Sequence, residues 1–421
     1  MLHQIQTDKL GPMGSAMSEA VSTCVHCGFC LAACPTYREL GQEMDSPRGR
    51  IVLMKEVLEG KLPWEEAQPH VDRCLGCLSC EPACPSGVPY RDLISPFRAV
   101  AQKHFKRPFA DRLRRLLTRV TLPYPRRFRA AMQAGGWIKK IGLWSPRMLR
   151  PMLDLIPANL PAAQTWPEFT EGSGPRRARV GLLLGCAQQV LDPDINTATI
   201  EVLRRNGVDV VAPRTQGCCG GLAWHTGDLA AARKFARQQL DAFPADVDAI
   251  LSNAAGCGSA MHEYALVLRG TPLEDKARCF GKRVKDVSSF LHELGLVPPK
   301  CSWPIRVAYH DACHLANAQG VRDEPRSLLR SIPGLELQEI SGGEFCCGSA
   351  GSYNLDEPQV AQSLGASKAR AIIDTRAEIV ASGNIGCLAQ IRMHLEQQGS
   401  AVPARHSMQV LRDAYRREST G

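Results

Sequence analysis

No stretch of the chain approaches the roughly 20 consecutive apolar residues that a membrane-crossing helix needs, so an integral helical membrane protein is excluded. The opening residues, MLHQIQTDKLGPMGS, lack a basic segment followed by an apolar one, and export is therefore not expected. No G-x-G-x-x-G follows a strand-like run, which removes the dinucleotide-binding fingerprint; GSAGS follows Cys347 directly and lacks the spacing. Acidic residues are almost missing from one stretch. Between Lys103 and Arg150, fourteen Lys plus Arg face the single acid Asp111, a net of +13, which leaves −4 for the rest of a chain whose total is +9. The remaining composition, 44% hydrophobic and 22% charged over 421 residues, is that of an ordinary globular protein of two or three domains.

Cysteine is abundant: 18 residues. With no export signature, they are expected in a reducing, cytoplasmic setting, where they bind metal or do redox chemistry rather than cross-link the chain. They fall into two internal repeats. CVHCGFCLAACP (Cys24, Cys27, Cys30, Cys34) returns 50 residues later as CLGCLSCEPACP (Cys74, Cys77, Cys80, Cys84). Cys186, the pair Cys218–Cys219 and Cys257 return as Cys313, the pair Cys346–Cys347 and Cys387, at offsets of 127, 128 and 130.

The first repeat has the form C-x2-C-x2-C-x3-C-P. In two-cluster ferredoxins three cysteines of such a run face one cubane and the fourth ligates the other. This assigns one [4Fe-4S] cluster to Cys24, Cys27, Cys30 and Cys84, and a second to Cys34, Cys74, Cys77 and Cys80. Zinc would be served by two C-x2-C pairs and leaves the third cysteine and the Cys-Pro unexplained; disulfides conflict with the compartment.

The expected architecture is multidomain. Residues 1–100 read as a mainly α-helical two-[4Fe-4S] ferredoxin-like domain, with a helix starting at Ser46–Pro47 and ending at Gly60. Residues 101–172 read as a basic amphipathic connection ending in a Pro/Gly linker. Residues 173–300 and 301–421 read as two duplicated α/β parallel-sheet units, because buried strand-like runs alternate with helical ones. The units are expected to meet about a pseudo-twofold axis. In each, the single cysteines end predicted strands and the vicinal pair follows the middle one, so all four converge where sites form in open parallel sheets. Glycines beside each pair (Gly217 and Gly220, Gly348 and Gly351) allow tight turns. A further cluster, a thiol redox site and a structural role all stay open for Cys186, Cys218, Cys219, Cys257, Cys313, Cys346, Cys347 and Cys387, with a cluster in at least one unit the leading expectation. Asn253, Asn384 and His310 are candidates to donate hydrogen bonds to these sulfurs. Cys279 and Cys301 lie outside both repeats and read as ordinary cysteines.

CGFCLAACPTY, DSPRGRI, HVDRCLGCLSCEPACPSGVPY, GCAQQVLDPDINTAT, CCGGLAWHTG, SNAAGCG, CCGSAGSYN and NIGCLAQI together resemble the glycolate oxidase (glycolate dehydrogenase) iron–sulfur subunit family over nearly the whole chain. The resemblance extends to subunits of anaerobic glycerol-3-phosphate dehydrogenase, lactate-utilisation proteins and heterodisulfide reductase. It implies an oxidoreductase complex in which FAD-bearing partner subunits oxidise glycolate to glyoxylate and this chain passes electrons to a membrane quinone. Lactate or glycerol-3-phosphate complexes, and a heterodisulfide-reductase-like thiol/disulfide protein, are the alternatives. Heterodisulfide reductase ends each unit with a C-x2-C; here Cys257 precedes GSA and Cys387 precedes LAQ, so each unit has four sulfurs rather than five. No residue of this chain is assigned a catalytic role: His225, His310 and His314 read as supports of the core or of the sulfurs. The basic segment, with Trp137 and Trp144, reads as a docking face for an acidic partner or as a contact with the inner face of the cell membrane; no nucleic-acid-binding module accompanies it.

Overall fold

The structure, a computed structural model, describes residues 1–140, 150–154, 156–157 and 159–418. Before Phe169 the described residues contain helices and no strand. The helix Pro47–Leu58 starts as its sequence dictates: Ser46 Oγ accepts from the Gly49 amide at 3.0 Å and Pro47 occupies the first turn. Gly60, beyond its end, has φ +77°. The helix Arg91–His104 lays Leu93, Ile94 and Phe97 into a core shared with Met17, Val21 and Met54.

Among the described residues nine strands follow: β1 (Phe169–Thr170), β2 (Ala178–Leu183), β3 (Val208–Val211), β4 (Ala249–Ser252), β5 (Val284–Asp286), β6 (Ile305–Tyr309), β7 (Leu335–Glu339), β8 (Ile379–Ser382) and β9 (Ala404–His406). The sheets run β1-β3-β2-β4-β5 and β7-β6-β8-β9. Every pairing is parallel except that of β1 with β3. Counted within each unit, both sheets have the strand order 2-1-3-4, so the order of strand addition reverses beside the first strand, between β2 and β4 and between β6 and β8. The sequence pattern marked the first three strands of each unit. It did not mark β1, β5 or β9, which are two or three residues long at sheet edges and too short to show a periodicity.

The two units pack reciprocally. Asp194–Arg205 lies on Ser407–Arg417, the last helix of the other unit, and Val287–Leu294 lies on Asp323–Arg330. Val180 and Leu182 of β2 share one core with Val307 and Tyr309 of β6. His406 and Asn253 are joined across the units by a 2.8 Å bond between Nε2 and the backbone carbonyl.

The basic segment forms the helices Phe109–Thr121 and Pro125–Lys140. Part of its charge is neutralised within the molecule: Arg107 pairs with Asp72, Arg114 with Asp356 and Arg119 with Asp228, at 2.6–2.9 Å. Phe109 and Trp137 stay exposed, at 77% and 73%. Trp144 lies outside the described residues.

One buried contact ties the two segments carrying Cys219 and Cys257. Trp224 Nε1 donates to Glu263 Oε2 at 2.5 Å, and Glu263 Oε1 has no partner among the described residues. Burial pushes this carboxyl up from 4.5 to about 7, against the pull of Trp224 and Arg91. Between those values the folded chain holds a proton that the unfolded chain has released, so the contribution present at low pH is lost as pH rises through about 7. Glu263→Gln removes this titration. Its melting temperature relative to the parent protein should rise from about pH 5 to about pH 8, by the equivalent of at most about 3 kcal/mol, checked by thermal unfolding under anaerobic conditions at both pH values.

Candidate iron–sulfur centres

The repeat of 50 residues is also a repeat of backbone. His26 and Gly28 have φ +58° and +88°; their counterparts Gly76 and Leu78 have φ +64° and +58°. Alternating left-handed residues wind each loop so that its sulfurs turn to one side. Helix arginines brace both loops. Arg48 Nη1 donates to the His26 carbonyl at 3.2 Å, and Arg98 Nη2 donates to the carbonyls of Val71 and Cys74 at 2.7 and 2.6 Å.

The fourth cysteine of each run crosses over. Cys84 faces Cys24 and Cys30, and Cys24, Cys27, Cys30 and Cys84 line one cavity. Cys34 faces Cys77 and Cys80, and Cys80 faces Cys74. Cys80 also lines the first cavity, so the two sets adjoin. Four thiols per set, drawn from both runs, fit one cubane each.

The two sets differ in surroundings. Cys27 is exposed, flanked by Val25 and Phe29 at 65% and 69% exposure. The second set, with Cys34 and Cys77 buried and Cys74 and Cys80 half-buried, lies among cations and donors. Arg50, 1% exposed, donates to Cys34 Sγ at 3.9 Å and to Thr36 Oγ1 at 3.0 Å, and it pairs with the fully buried Asp45 at 3.3 Å. Thr36 Oγ1 lies 3.2 Å from Cys34 Sγ, Ser79 Oγ 3.5 Å from Cys77 Sγ, and Tyr90 Oη 3.8 Å from Cys74 Sγ. Burial raises the Cys74 thiol, but Arg50 and Arg98 with the Gly76 amide outweigh it, so it sits below its ordinary value. Burial pushes Cys77 up to about 12.

In the second repeat each vicinal pair is followed by a left-handed glycine, Gly220 at φ +78° and Gly348 at φ +84°. A Cβ on Gly348 would lie 2.7 Å from the Ala361 carbonyl. The single cysteines sit beyond the strands they were expected to end. Cys257 lies in the helix Ala255–His262, Cys387 in Ile385–Gln397, Cys313 begins Cys313–Ala316, and Cys186 is in a turn after β2. Parallel strands deliver chain directly to helix N-termini at the carboxyl edge, so these cysteines flank the switch point of each sheet. Cys186 Sγ is 3.6 Å from Cys218 Sγ, and Cys219 contacts Cys257. Cys346 contacts Cys313, and Cys347 contacts Cys387. All eight line a single cavity of about 510 Å³.

A 4Fe-4S dicluster domain matches residues 20–88, and a cysteine-rich domain matches twice, at 180–262 and 307–392. The chain is 37% identical to the probable glycolate oxidase iron-sulfur subunit of Bacillus subtilis (strain 168) over 414 residues, 93% of each chain. It is 37% identical to the glycolate oxidase iron-sulfur subunit of Escherichia coli (strain K12), across 94% of each. The chain belongs to the glycolate oxidase iron–sulfur subunit family. A lactate utilization protein A of Oceanobacillus iheyensis is 29% identical over 55% of this chain and 96% of its own.

As an iron–sulfur subunit, the chain joins its second ferredoxin-type set to the second cysteine-rich unit by direct contact. Cys77 faces Cys313 and Cys346. His314 Nε2 lies 2.9 Å from the Gly76 carbonyl, and Asn317 Nδ2 donates to the Cys77 carbonyl at 3.1 Å and to Ser79 Oγ at 3.0 Å. Of the expected sulfur donors, Asn384 Nδ2 reaches Cys387 Sγ at 3.4 Å. Asn253 does not reach a sulfur: its amide donates to Asn196 and Thr199, because it is the centre of a buried polar network behind β4. His225 and His314 meet edge to face at 5.1 Å and line the shared cavity. Arg50, Arg98 and Tyr90 were not singled out from the sequence. Arg50 stands inside DSPRGRI, but a buried arginine is written like an exposed one.

Asp45 gathers Arg50, Arg73 and His70, at 3.3, 3.2 and 3.1 Å. Removing it leaves Arg50 charged and buried beside Cys34. Asp45→Ala should cost about 3–5 kcal/mol and release the second cluster first, read as loss of visible absorbance at lower denaturant concentration; Asp45→Asn should cost less.

Proposed function

We propose that this chain carries electrons for a flavin-dependent complex that oxidises a 2-hydroxy acid, glycolate to glyoxylate. Oxidation of glycolate releases two electrons and two protons, which a flavin on a partner subunit takes as a pair. Iron–sulfur clusters supply the single-electron steps that follow. Cys24, Cys27, Cys30 and Cys84 would hold the entry cluster, and Cys34, Cys74, Cys77 and Cys80 the next. The observation that carries this reading is the unbroken series from exposed Cys27, through Cys80 and Cys77, to Cys313 and Cys346. Exposed Val25 and Phe29 beside Cys27 suit contact with the flavoprotein. The cationic, hydrogen-bonded second set favours its reduced state over that of the first, which directs electrons inward.

The cysteine-rich units would hold further clusters, and a membrane quinone would take two electrons and two protons at the end. Among the described residues no helix is long and apolar enough to cross a membrane, so the quinone would be reached by peripheral contact of the basic helices at the cytoplasmic face, with exposed Phe109 and Trp137. A thiol–disulfide reaction in the shared cavity is the second reading, favoured by the 3.6 Å approach of Cys186 and Cys218.

Anaerobically purified chain should contain about twelve or more irons if the cysteine-rich units are loaded, and about eight if they work as thiols. Cys84→Ser and Cys34→Ser should each remove one of two distinct reduced-state EPR signals. With the flavoprotein present, glycolate should reduce the clusters of the parent chain. Far fewer than eight irons, or clusters that glycolate leaves oxidised in the assembled complex, would overturn the electron-carrier reading.

A further inference from the structure

The two cysteine-rich units follow one plan, which makes their differences informative. His310 follows β6, three residues before Cys313; three residues before Cys186 the first unit has Leu183, which is buried in the core. A leucine therefore satisfies this position when only packing is required. His310 is 1% exposed, and both ring nitrogens are buried without a hydrogen-bond partner among the described residues. A buried imidazole left in that state is costly and calls for a cause.

The cause lies next to it. One ring nitrogen of His310, Cys347 Sγ and Cys387 Sγ are all buried and all within 4.8 Å of one another. Asn384 Nδ2 donates to Cys387 Sγ at 3.4 Å, which orients that sulfur. The charge around the site also departs from the first unit. Lys368, buried, donates from Nζ to the carbonyls of Gly342 and Gly343 at 2.8 and 3.2 Å and acts on Cys347. The corresponding helix position in the first unit is Gln239, a neutral group that donates instead to the carbonyls of Gly217 and Cys218, at 2.9 and 3.0 Å.

We propose that His310 is a metal ligand, and that the second cysteine-rich unit holds its metal through Cys347, Cys387 and this imidazole while the first is ligated by thiolates alone. The inference rests on the reading of these units as metal centres. Two thiolates and one imidazole suit a borderline ion, either an iron of a cluster or a single zinc. A neutral nitrogen in place of a thiolate, with Lys368 alongside, stabilises a reduced iron centre relative to its all-thiolate neighbour. Where that metal is iron, the two units are different redox stations, and the one touching Cys77 is the more easily reduced.

The test uses the full chain purified without oxygen, as parent, His310→Leu and Cys387→Ser, with iron and zinc counted per chain. His310→Leu copies the residue that the first unit carries. Both variants should lose the same metal to the same extent, with the two ferredoxin-type signals intact; lost iron identifies a cluster and lost zinc a lone ion. If Cys387→Ser loses metal and His310→Leu keeps the parent content, the histidine is no ligand and the metal reading of the unit stands. If both keep it, that reading falls too. The parent chain gives a measurement independent of any variant. With ¹⁵N-labelled histidine, the reduced protein should show nitrogen hyperfine coupling at an iron centre, or zinc-edge absorption should show a nitrogen scatterer beside sulfur. Absence of nitrogen at both metals overturns the proposal.

Discussion

Each ferredoxin-type run gives its last cysteine to the other set, and the helical half of the molecule depends on that exchange. In the proposed assignment neither run completes a four-sulfur site alone. Cys84 therefore returns to Cys24 and Cys30, and Cys34 to Cys77 and Cys80. Two loops 50 residues apart are thereby held side by side. The helices Pro47–Leu58 and Arg91–His104 supply the arginines, Arg48 and Arg98, that fix the loop carbonyls.

Gathering thiolates in a buried volume costs electrostatic energy, and the structure meets that cost unevenly. The outer set relies on exposure to water at Cys27. The inner set, more enclosed, is offset by Arg50 and Arg98 and by hydroxyls at its sulfurs. Asp45, buried with Arg50, balances its charge. In the proposed reading, the stronger cationic and hydrogen-bonded surroundings of the inner set would favour electron flow toward the cysteine-rich units.

Those units were copied and then diverged. Strand order, switch point, vicinal cysteines and the following left-handed glycine are common to both. Reciprocal packing of Asp194–Arg205 on Ser407–Arg417 and of Val287–Leu294 on Asp323–Arg330 turns both carboxyl edges toward one cavity. Leu183 against His310, and Gln239 against Lys368, then make two sites of unlike charge and ligand chemistry on one scaffold.

Local chemistry was written in the sequence: the spacing of Cys24 to Cys34 and Cys74 to Cys84, the capped helix at Ser46, the buried strands of both duplicated units, and the lack of a nucleotide fingerprint. Each depends on residues within a turn or a strand of one another, where spacing alone sets geometry. The tertiary structure decided what depends on distant residues. It set Cys77 against Cys313 and Cys346, buried Arg50 with Asp45, and turned Asn253 away from sulfur into a polar network. It also moved Cys257 and Cys387 from strand ends into the first turn of the helices beyond, and it paired three edge strands too short to announce themselves. An arginine, an asparagine or a histidine has the same letter whether it faces water or a sulfur, and only the packing of segments far apart in the chain assigns it one or the other.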